Sequence, residues 1–198
     1  MSYRVEEKIP MTLSDSDQFL ESLKDQGSEP LFPKRIIQSN YFDSNQFTLF
    51  RESEEGLLPR KKVRIRHYPL SNQIEYSLEI KISSIEGRYK SAIKLSDSQA
   101  KRINKLGYFD PVYGLLEKKI SVNYSREYFS FQGIRITRDT HISYQDLINK
   151  TNNFIEKDSV VEIKAPENTP VDFLLKIIPS QRRRFSKYCN AIKYLNLA

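Results

Sequence analysis

The stretch SVVEIKAP, residues 159–166, places two opposite charges inside a run that otherwise looks like a buried strand. Glu162 and Lys164 alternate with Val161 and Ile163. Because a β-strand sends successive side chains to opposite faces, the two charged residues share one face and the two apolar residues share the other. The stretch therefore predicts a strand with one apolar face and one charged face.

The same alternation recurs in several other segments of the chain. The residues on their charged faces are Glu6 and Lys8, Arg64 and Arg66, Glu79 and Lys81, Arg88, Lys90 and Lys94, Arg126, and Arg135 and Asp139. A single strand of this kind is typical of a half-buried antiparallel sheet. Lys and Arg dominate these faces, however, and a sheet that closes on itself would turn them all into one lumen. We therefore predict an α+β fold, a closed antiparallel β-barrel surrounded by helices, in a single domain spanning residues 1–198.

Helical signals separate the strand-like segments. One helix is predicted within residues 12–27, where Ser and Asp residues offer N-caps and Gly27 ends the pattern. Another is predicted within residues 96–107, with Ser96 or Asp97 as its cap. A turn or short helix follows the strand-like segment IIQSNYFDS, and two C-terminal helices are predicted on either side of Pro179.

The composition limits the classes of partner and cofactor. The chain has 198 residues, a net charge of +7 and a pI near 9.3, which indicates an anionic partner. A single cysteine excludes an intramolecular disulfide and a cysteine-built zinc site. With only two histidines, a metal would be held mainly by carboxylates and ligand oxygens, which favours Mg²⁺ or Mn²⁺. The charged N-terminus and the lack of a long apolar run predict a cytoplasmic protein without signal peptide or membrane segment.

Cations on facing strands repel one another unless an anion fills the space between them. Arginines can grip phosphate oxygens with two hydrogen bonds, and lysines add point charges. The carboxylates then have two expected roles. Glu6 and Glu79 pair with neighbouring basic side chains and orient them, whereas Glu162 holds a divalent ion that bridges phosphates.

Other polar residue types have simpler expected roles. Cys189 is expected in a helix core, and His141 is expected to be solvated at a strand end. Asp139 is expected to orient Arg135 rather than to support a metal. Asp43 can be either a turn-capping residue or a functional one.

Several stretches, in their order along the chain, resemble the triphosphate tunnel metalloenzymes. Within that superfamily they resemble the VTC (vacuolar transporter chaperone) domain, the polyphosphate polymerase module. The segments that carry the resemblance are NYFDSNQFTLF, KVRIRHY, LEIKIS followed by GRYKSAIKL, SVNYSREYF followed by IRITRDT, VVEIK and RRFSKYCNAI. Each segment is a weak signal alone, but together they are specific and span nearly the whole chain.

The resemblance implies a tunnel formed by a closed barrel, and transfer of the ATP γ-phosphoryl group to a growing polyphosphate with Mn²⁺ or Mg²⁺. It implies phosphate-binding roles for Lys8, Arg64, Arg66, Lys81, Lys90 or Lys94, Arg126, Arg135 and Lys164. Glu162 would be the metal ligand. Arg184 and Lys187, three residues apart and so on one face of the last helix, would close one tunnel mouth. ATP and polyphosphate or triphosphate are the implied partners, and no nucleic acid is expected.

The chain departs from related patterns in two respects. The CYTH branch of the superfamily opens with Glu-x-Glu-x-Lys, but here Arg4 occupies the first position, which disfavours that branch and removes one candidate metal ligand. The SPX and membrane segments that accompany fungal VTC domains are not seen in the sequence, so coupling to export is not indicated. Two other functions remain open: a tripolyphosphate or nucleoside triphosphate hydrolase of the same fold, and a non-catalytic polyphosphate-binding module.

Overall fold

A computed structural model describes residues 4–71, 73–150, 152–178 and 185–198. The chain forms two compact units. The first unit comprises Met1–Arg35, Tyr124–Ile142 and Glu156–Phe185, and the second comprises Ile36–Asn123, Ser143–Ile155 and Ser186–Ala198. The single domain predicted from the sequence stays a prediction.

Strands and helices follow one another along the described chain. The strands are β1 (Arg4–Met11), β2 (Glu29–Asp43), β3 (Arg60–His67), β4 (Tyr76–Ser84), β5 (Gly87–Leu95), β6 (Tyr108–Asp110), β7 (Gly114–Phe131), β8 (Ile134–Asp146), β9 (Asn153–Ile155) and β10 (Ser159–Pro166). The helices are α1 (Leu13–Asp25), α2 (Thr48–Glu55), α3 (Asp97–Leu106), α4 (Val171–Ile177) and α5 (Lys187–Tyr194). None of the helices in the described ranges is long and apolar enough to cross a bilayer. The cytoplasmic location stays a prediction.

Hydrogen-bonded strands follow the order β1-β10-β8-β7-β2-β3-β4-β5, with β6 paired to β7 and β9 paired to β8. The pairings of β1 with β10, β10 with β8, β2 with β3, β3 with β4 and β4 with β5 are all antiparallel. Strands β2, β7 and β8 contribute residues to both units. The α+β class with mainly antiparallel pairing is therefore confirmed.

The first unit buries the apolar faces of its strands against two helices. Ile9 of β1, Ile136 of β8 and Ile163 of β10 are at most 2% exposed. They belong to one core cluster with Leu20 of α1 and Leu174 of α4. Full burial of such a side chain stabilises a fold by about 1.5–3 kcal/mol. The charged residues one position along each strand therefore lie on the opposite face, as the alternation predicts.

The N-cap of α1 is Thr12, two residues before Ser14, the first of the predicted Ser and Asp caps. The side-chain oxygen of Thr12 accepts a hydrogen bond from the backbone N–H of Asp15 at 3.1 Å. Thr12 directly follows the last residue of β1, so its side chain is the first that can satisfy a free N–H group of the helix. The prediction of the helix is confirmed, and that of its cap is wrong.

The second unit has its own apolar core. Phe42 of β2, Val63 and Ile65 of β3, and Leu78 of β4 are at most 4% exposed. Leu49 of α2 packs in the same cluster. As in the first unit, the apolar positions alternate with charged ones, and this alternation sets which face of each strand carries charge.

Helix α3 begins at the predicted cap, whereas β5 differs from its prediction. The Ser96 side chain accepts from the Gln99 N–H at 3.2 Å, and the Gln99 side chain accepts from the Ser96 N–H at 2.9 Å. On β5, Leu95 reaches the core cluster, but Tyr89 and Ile93 are 38% and 52% exposed. The predicted burial of this face is wrong because β5 is the last strand in the order and has little apolar surface to pack against.

Two strands extend beyond their predicted bounds. Strand β2 already begins at Glu29, although residues 29–35 are exposed and include Pro30 and Pro33. Prolines are typical of edge strands and loops, so the sequence did not predict that this segment is part of a strand. His141 is exposed as predicted, but it lies inside β8 with a φ of 52° rather than at a strand end.

Candidate functional site

The charged face of the first unit carries two rows of side chains across β1, β10 and β8. The register gives one row of Lys8, Glu162 and Thr137, and a neighbouring row of Glu6, Lys164 and Arg135. Directly opposed residues in a sheet have Cβ atoms about 4.5–5.5 Å apart. We define the Glu162 cluster as the charged residues of both rows together with Arg126 and Asp139.

Glu162 is a buried carboxylate among basic side chains. Its Oε1 accepts from Lys164 Nζ at 2.8 Å, its Oε2 lies 3.5 Å from Arg126 Nη2, and its side chain is 8% exposed. Burial alone would raise the pKa of the Glu162 carboxyl. The charges of Arg126, Lys8 and Lys164 outweigh that effect and hold the pKa well below its usual range. Glu162 is therefore ionised at neutral pH and can offer its oxygens to a cation.

Arg126 is held in place by Asp139. Its Nε and Nη2 donate to the two Asp139 carboxylate oxygens at 2.5 and 2.7 Å, and Asp139 is fully buried. This forked contact fixes the plane of the guanidinium group. Asp139 thus orients Arg126, whereas the sequence favoured Arg135 as its partner. The reason is that the neighbouring strand β7 presents Arg126 within reach of Asp139.

Glu6 connects the lysines of the Glu162 cluster, and Arg135 has an unmet donor. Glu6 lies 3.0 Å from Lys8 Nζ and 3.2 Å from Lys164 Nζ. The Nε atom of Arg135 is buried and has no hydrogen-bond partner among the described residues. Carboxylates almost balance the basic groups in this cluster, so the strong excess of cations that we predicted for every charged face is not found here.

The charged face of the second unit is organised around Glu79, which is 5% exposed. Glu79 Oε2 accepts from Arg64 Nε and Nη2 at 2.7 and 2.5 Å, and Oε1 accepts from Lys90 Nζ at 2.7 Å. Arg66 Nη1 lies 3.7 Å from Oε2. Despite burial, these cations hold the pKa of the Glu79 carboxyl far below its usual range. We define the Glu79 cluster as these residues together with Lys62 and Lys81.

A row of lysines crosses the same face. The register pairs Lys62 with Lys81 between β3 and β4, and Lys81 with Lys90 between β4 and β5. Like charges in directly opposed positions destabilise a sheet. Lys62 Nζ donates a hydrogen bond to Ser186 Oγ at 2.8 Å. Cations outnumber carboxylates in the Glu79 cluster, so an anion bound there would relieve their repulsion.

A buried network that the sequence did not reveal supports Arg64. Arg64 Nη1 donates to the Tyr41 hydroxyl at 2.7 Å, and the Tyr41 ring stacks on Tyr188 with centroids 5.1 Å apart. The Tyr188 hydroxyl donates to Asp43, which also accepts from two backbone N–H groups at the start of α2 at 2.9 and 3.0 Å. Asp43 is therefore a capping residue. The only sequence signal for Tyr41 was its place in the YFD motif.

Of the residues assigned by resemblance, Lys94, Lys187 and Arg184 are not part of either cluster as defined. Lys94 forms an ion pair with Glu75 at 2.5 Å and its side chain is 74% exposed, so Lys90 is the member of the Lys90 or Lys94 alternative that joins the Glu79 cluster. Lys187 is the first residue of α5, directly after Ser186. Arg184 lies outside the described residues.

The VTC domain family model matches residues 4–110 and 85–196 of this chain. These two overlapping matches cover almost all of the sequence. The chain belongs to the VTC domain family. The resemblance seen in the motifs is thereby confirmed, and with it a family of tunnel-fold, phosphate-related enzymes.

Solved structures share the fold of this VTC domain at low sequence identity. A protein from Bacillus halodurans, provisionally named an adenylate cyclase, has 14% identity and a TM-score of 0.59, and the alignment covers 100% of this chain and 91% of that one. A protein from Pyrococcus horikoshii has 16% identity and a TM-score of 0.63, covering 97% and 99%. A provisionally named adenylate cyclase from Vibrio parahaemolyticus has 15% identity and a TM-score of 0.51, covering 89% and 83%. No curated protein matches the chain significantly.

A divalent metal, which the family resemblance implies, would meet few protein ligands in this VTC domain. Among the described residues, no group of three or more His, Cys, Asp and Glu side chains could hold a metal ion. Mg²⁺, however, is commonly bound by one or two carboxylates together with substrate phosphates. Glu162, buried and ionised, fits that mode of binding. The residues therefore suit an ion that shares its ligands with a phosphate chain rather than an ion held by the protein alone.

Proposed function

We propose that this VTC domain is a metal-dependent polyphosphate polymerase. It transfers the γ-phosphoryl group of ATP to the terminal oxygen of a polyphosphate chain, so that the chain grows by one phosphate and ADP leaves. The observation that carries the proposal is the Glu79 cluster, in which a single carboxylate holds basic side chains from neighbouring strands on one charged face. Membership of the VTC domain family supports the same function.

Phosphoryl transfer asks the protein mainly to position groups and to neutralise charge. Arg64 and Arg66 would bind phosphate oxygens through their guanidinium groups, with Glu79 fixing the orientation of Arg64. Further phosphate-binding roles are proposed for Lys8, Lys81, Lys90, Arg126, Arg135, Lys164, Arg184 and Lys187, with Lys94 as the alternative to Lys90. No nucleophilic side chain is required, because the attacking oxygen belongs to the polyphosphate itself.

Glu162 would hold Mn²⁺ or Mg²⁺ together with phosphate oxygens. When bound, such an ion neutralises negative charge on the transferring group. Lys164 and Arg126, which contact Glu162, would bind phosphate oxygens next to it. Closure of the strands into a barrel belongs to the same proposal, because closure would turn the charged faces towards an enclosed substrate.

The test is to incubate the purified chain with ATP and Mn²⁺, to resolve polyphosphate on a gel, and to assay free phosphate in parallel. We expect a ladder of long chains with the wild type and none with Glu162→Gln, because the amide removes the charge that holds the ion. Free phosphate without a ladder would instead identify a hydrolase. Tight tripolyphosphate binding without metal, and with neither product, would identify a polyphosphate-binding module.

A further inference from the structure

Thr137 is a buried threonine whose hydroxyl has no hydrogen-bond partner among the described residues. The residue is 2% exposed, and its Oγ1 is itself buried. The great majority of buried polar side-chain atoms in folded proteins are hydrogen-bonded, so each exception calls for an explanation. The sequence patterns alone indicate no role for Thr137.

The position of Thr137 places this unmet hydroxyl among charged groups. The register sets it directly opposite Glu162, and Ile136, the residue before it, is fully buried in the core on the other face. Arg135, two residues away, shares the charged face and carries a second unmet buried atom, Nε. Two residues on one face of β8 therefore each carry a buried polar atom that makes no hydrogen bond with the described part of the chain.

We infer that Thr137 is a substrate-binding residue whose hydroxyl donates a hydrogen bond to a phosphoryl oxygen that Arg135 also binds. The guanidinium Nε only donates, so a ligand that satisfies Arg135 must present an acceptor oxygen rather than a cation. Lys164 is opposite Arg135 and adds positive charge beside the same oxygen. A phosphoryl group carries several acceptor oxygens and negative charge, and so can satisfy both unmet atoms at once. This inference rests on the proposed function and adds a binding residue to it.

The experiment measures tripolyphosphate binding to the full chain by calorimetry, with and without Mn²⁺. Thr137→Val keeps the shape of the side chain but removes the hydroxyl, and Thr137→Ser keeps the hydroxyl. The matched control is Thr140→Val on the same strand, because Thr140 Oγ1 already has a partner in His141 Nδ1 at 3.1 Å. We expect Thr137→Val to bind about tenfold more weakly, and Thr137→Ser and Thr140→Val to bind like the wild type.

Thermal unfolding of the ligand-free variants gives a second, independent result. Thr137→Val removes a buried hydroxyl for which the described residues provide no hydrogen-bond partner, so the Tm of this variant should rise by about 2–4 °C. A lower Tm would show that the hydroxyl has a structural partner and would overturn the inference. Equal binding by the wild type and Thr137→Val would overturn it as well, while leaving the proposed function standing. If the wild type does not bind tripolyphosphate, both the proposed function and the inference are wrong.

Discussion

Glu79 and Glu162 are buried carboxylates that stay ionised because basic side chains share their sheet faces. The Glu-x-Lys pattern that the sequence repeats has two structural solutions. In β10 and β1, the two residues of the pattern pair with each other, at 2.8 Å for Glu162 with Lys164 and 3.0 Å for Glu6 with Lys8. In β4, Glu79 instead contacts basic residues of the strands on either side. The Glu-x-Lys spacing determines that both residues lie on the same face of the strand. The residues on the neighbouring strands determine which basic side chain the Glu contacts.

The pH dependence of stability should report the state of Glu79. A carboxyl whose pKa is lower in the folded than in the unfolded chain stabilises the fold above its unfolded pKa, and this contribution is lost as the pH falls towards the folded pKa. The pKa of Glu79 lies far below its usual value of 4.5. We therefore expect the free energy of unfolding, measured with urea, to fall as the pH drops below 4.5, and to fall less steeply in Glu79→Gln.

The matched control for this prediction is Glu75→Gln. Glu75 pairs with Lys94, but both side chains are more than half exposed, and exposed ion pairs contribute little to stability. Below pH 4.5, the slope of the free energy of unfolding against pH should therefore stay closer to the wild-type slope in this control than in Glu79→Gln. Equal slopes of the free energy of unfolding against pH for the wild type and Glu79→Gln would show that an ionised Glu79 does not stabilise its cluster.

Asp43 joins two helices to the end of β2. It accepts hydrogen bonds from two backbone N–H groups of α2 and from the hydroxyl of Tyr188 on α5. Asp43→Ala removes a helix cap, which costs about 0.5–2 kcal/mol, and leaves a buried tyrosine hydroxyl unpaired, which costs about 1–3 kcal/mol. We expect a loss of about 2–4 kcal/mol in the free energy of unfolding.

Ser96→Ala provides the comparison for Asp43→Ala. It removes the capping box of α3 but leaves no buried group unpaired, so it should cost only about 1 kcal/mol. A cost for Asp43→Ala no larger than that for Ser96→Ala would mean that the contact with Tyr188 adds nothing. The loss in the free energy of unfolding for Asp43→Asn should lie between the losses for Asp43→Ala and Ser96→Ala. The amide oxygen of Asn can still accept a hydrogen bond from the backbone N–H groups of α2.

Strands with a clear alternation of apolar and charged residues were predicted well from the sequence. Strands β3 and β10 alternate cleanly, and their apolar residues are buried as the sequence predicts. The same reasoning was wrong for the apolar face of β5, because burial depends on what packs against a strand as well as on its own alternation. The start of β2 was not predicted because its residues are exposed, include prolines and lack an apolar face, although they form a strand.

At the scale of the whole molecule, alternation and charge were enough to predict the fold class and the charged faces, but not the contacts on them. Which residues stand opposite one another depends on strand register, and a shift of one residue would change every neighbour. The sequence therefore could not predict that Arg126 binds Asp139, or that Thr137 lies opposite Glu162. The support of Arg64 by Tyr41 joins residues 23 positions apart in the sequence and was equally hidden.

If this VTC domain is a polyphosphate polymerase, the γ-phosphoryl group of ATP becomes part of a polyphosphate chain. The most direct measurement supplies the purified chain and Mn²⁺ with ATP labelled either at the γ-phosphorus or at the α-phosphorus, and follows the label into long polyphosphate. We expect that only the γ-label enters the polymer and that Glu162→Gln incorporates neither label. ADP should form in step with the polymer, without label from γ-labelled ATP and with label from α-labelled ATP. Release of the γ-label as free phosphate without polymer would contradict the proposed function. So would the appearance of the α-label in any product other than ADP.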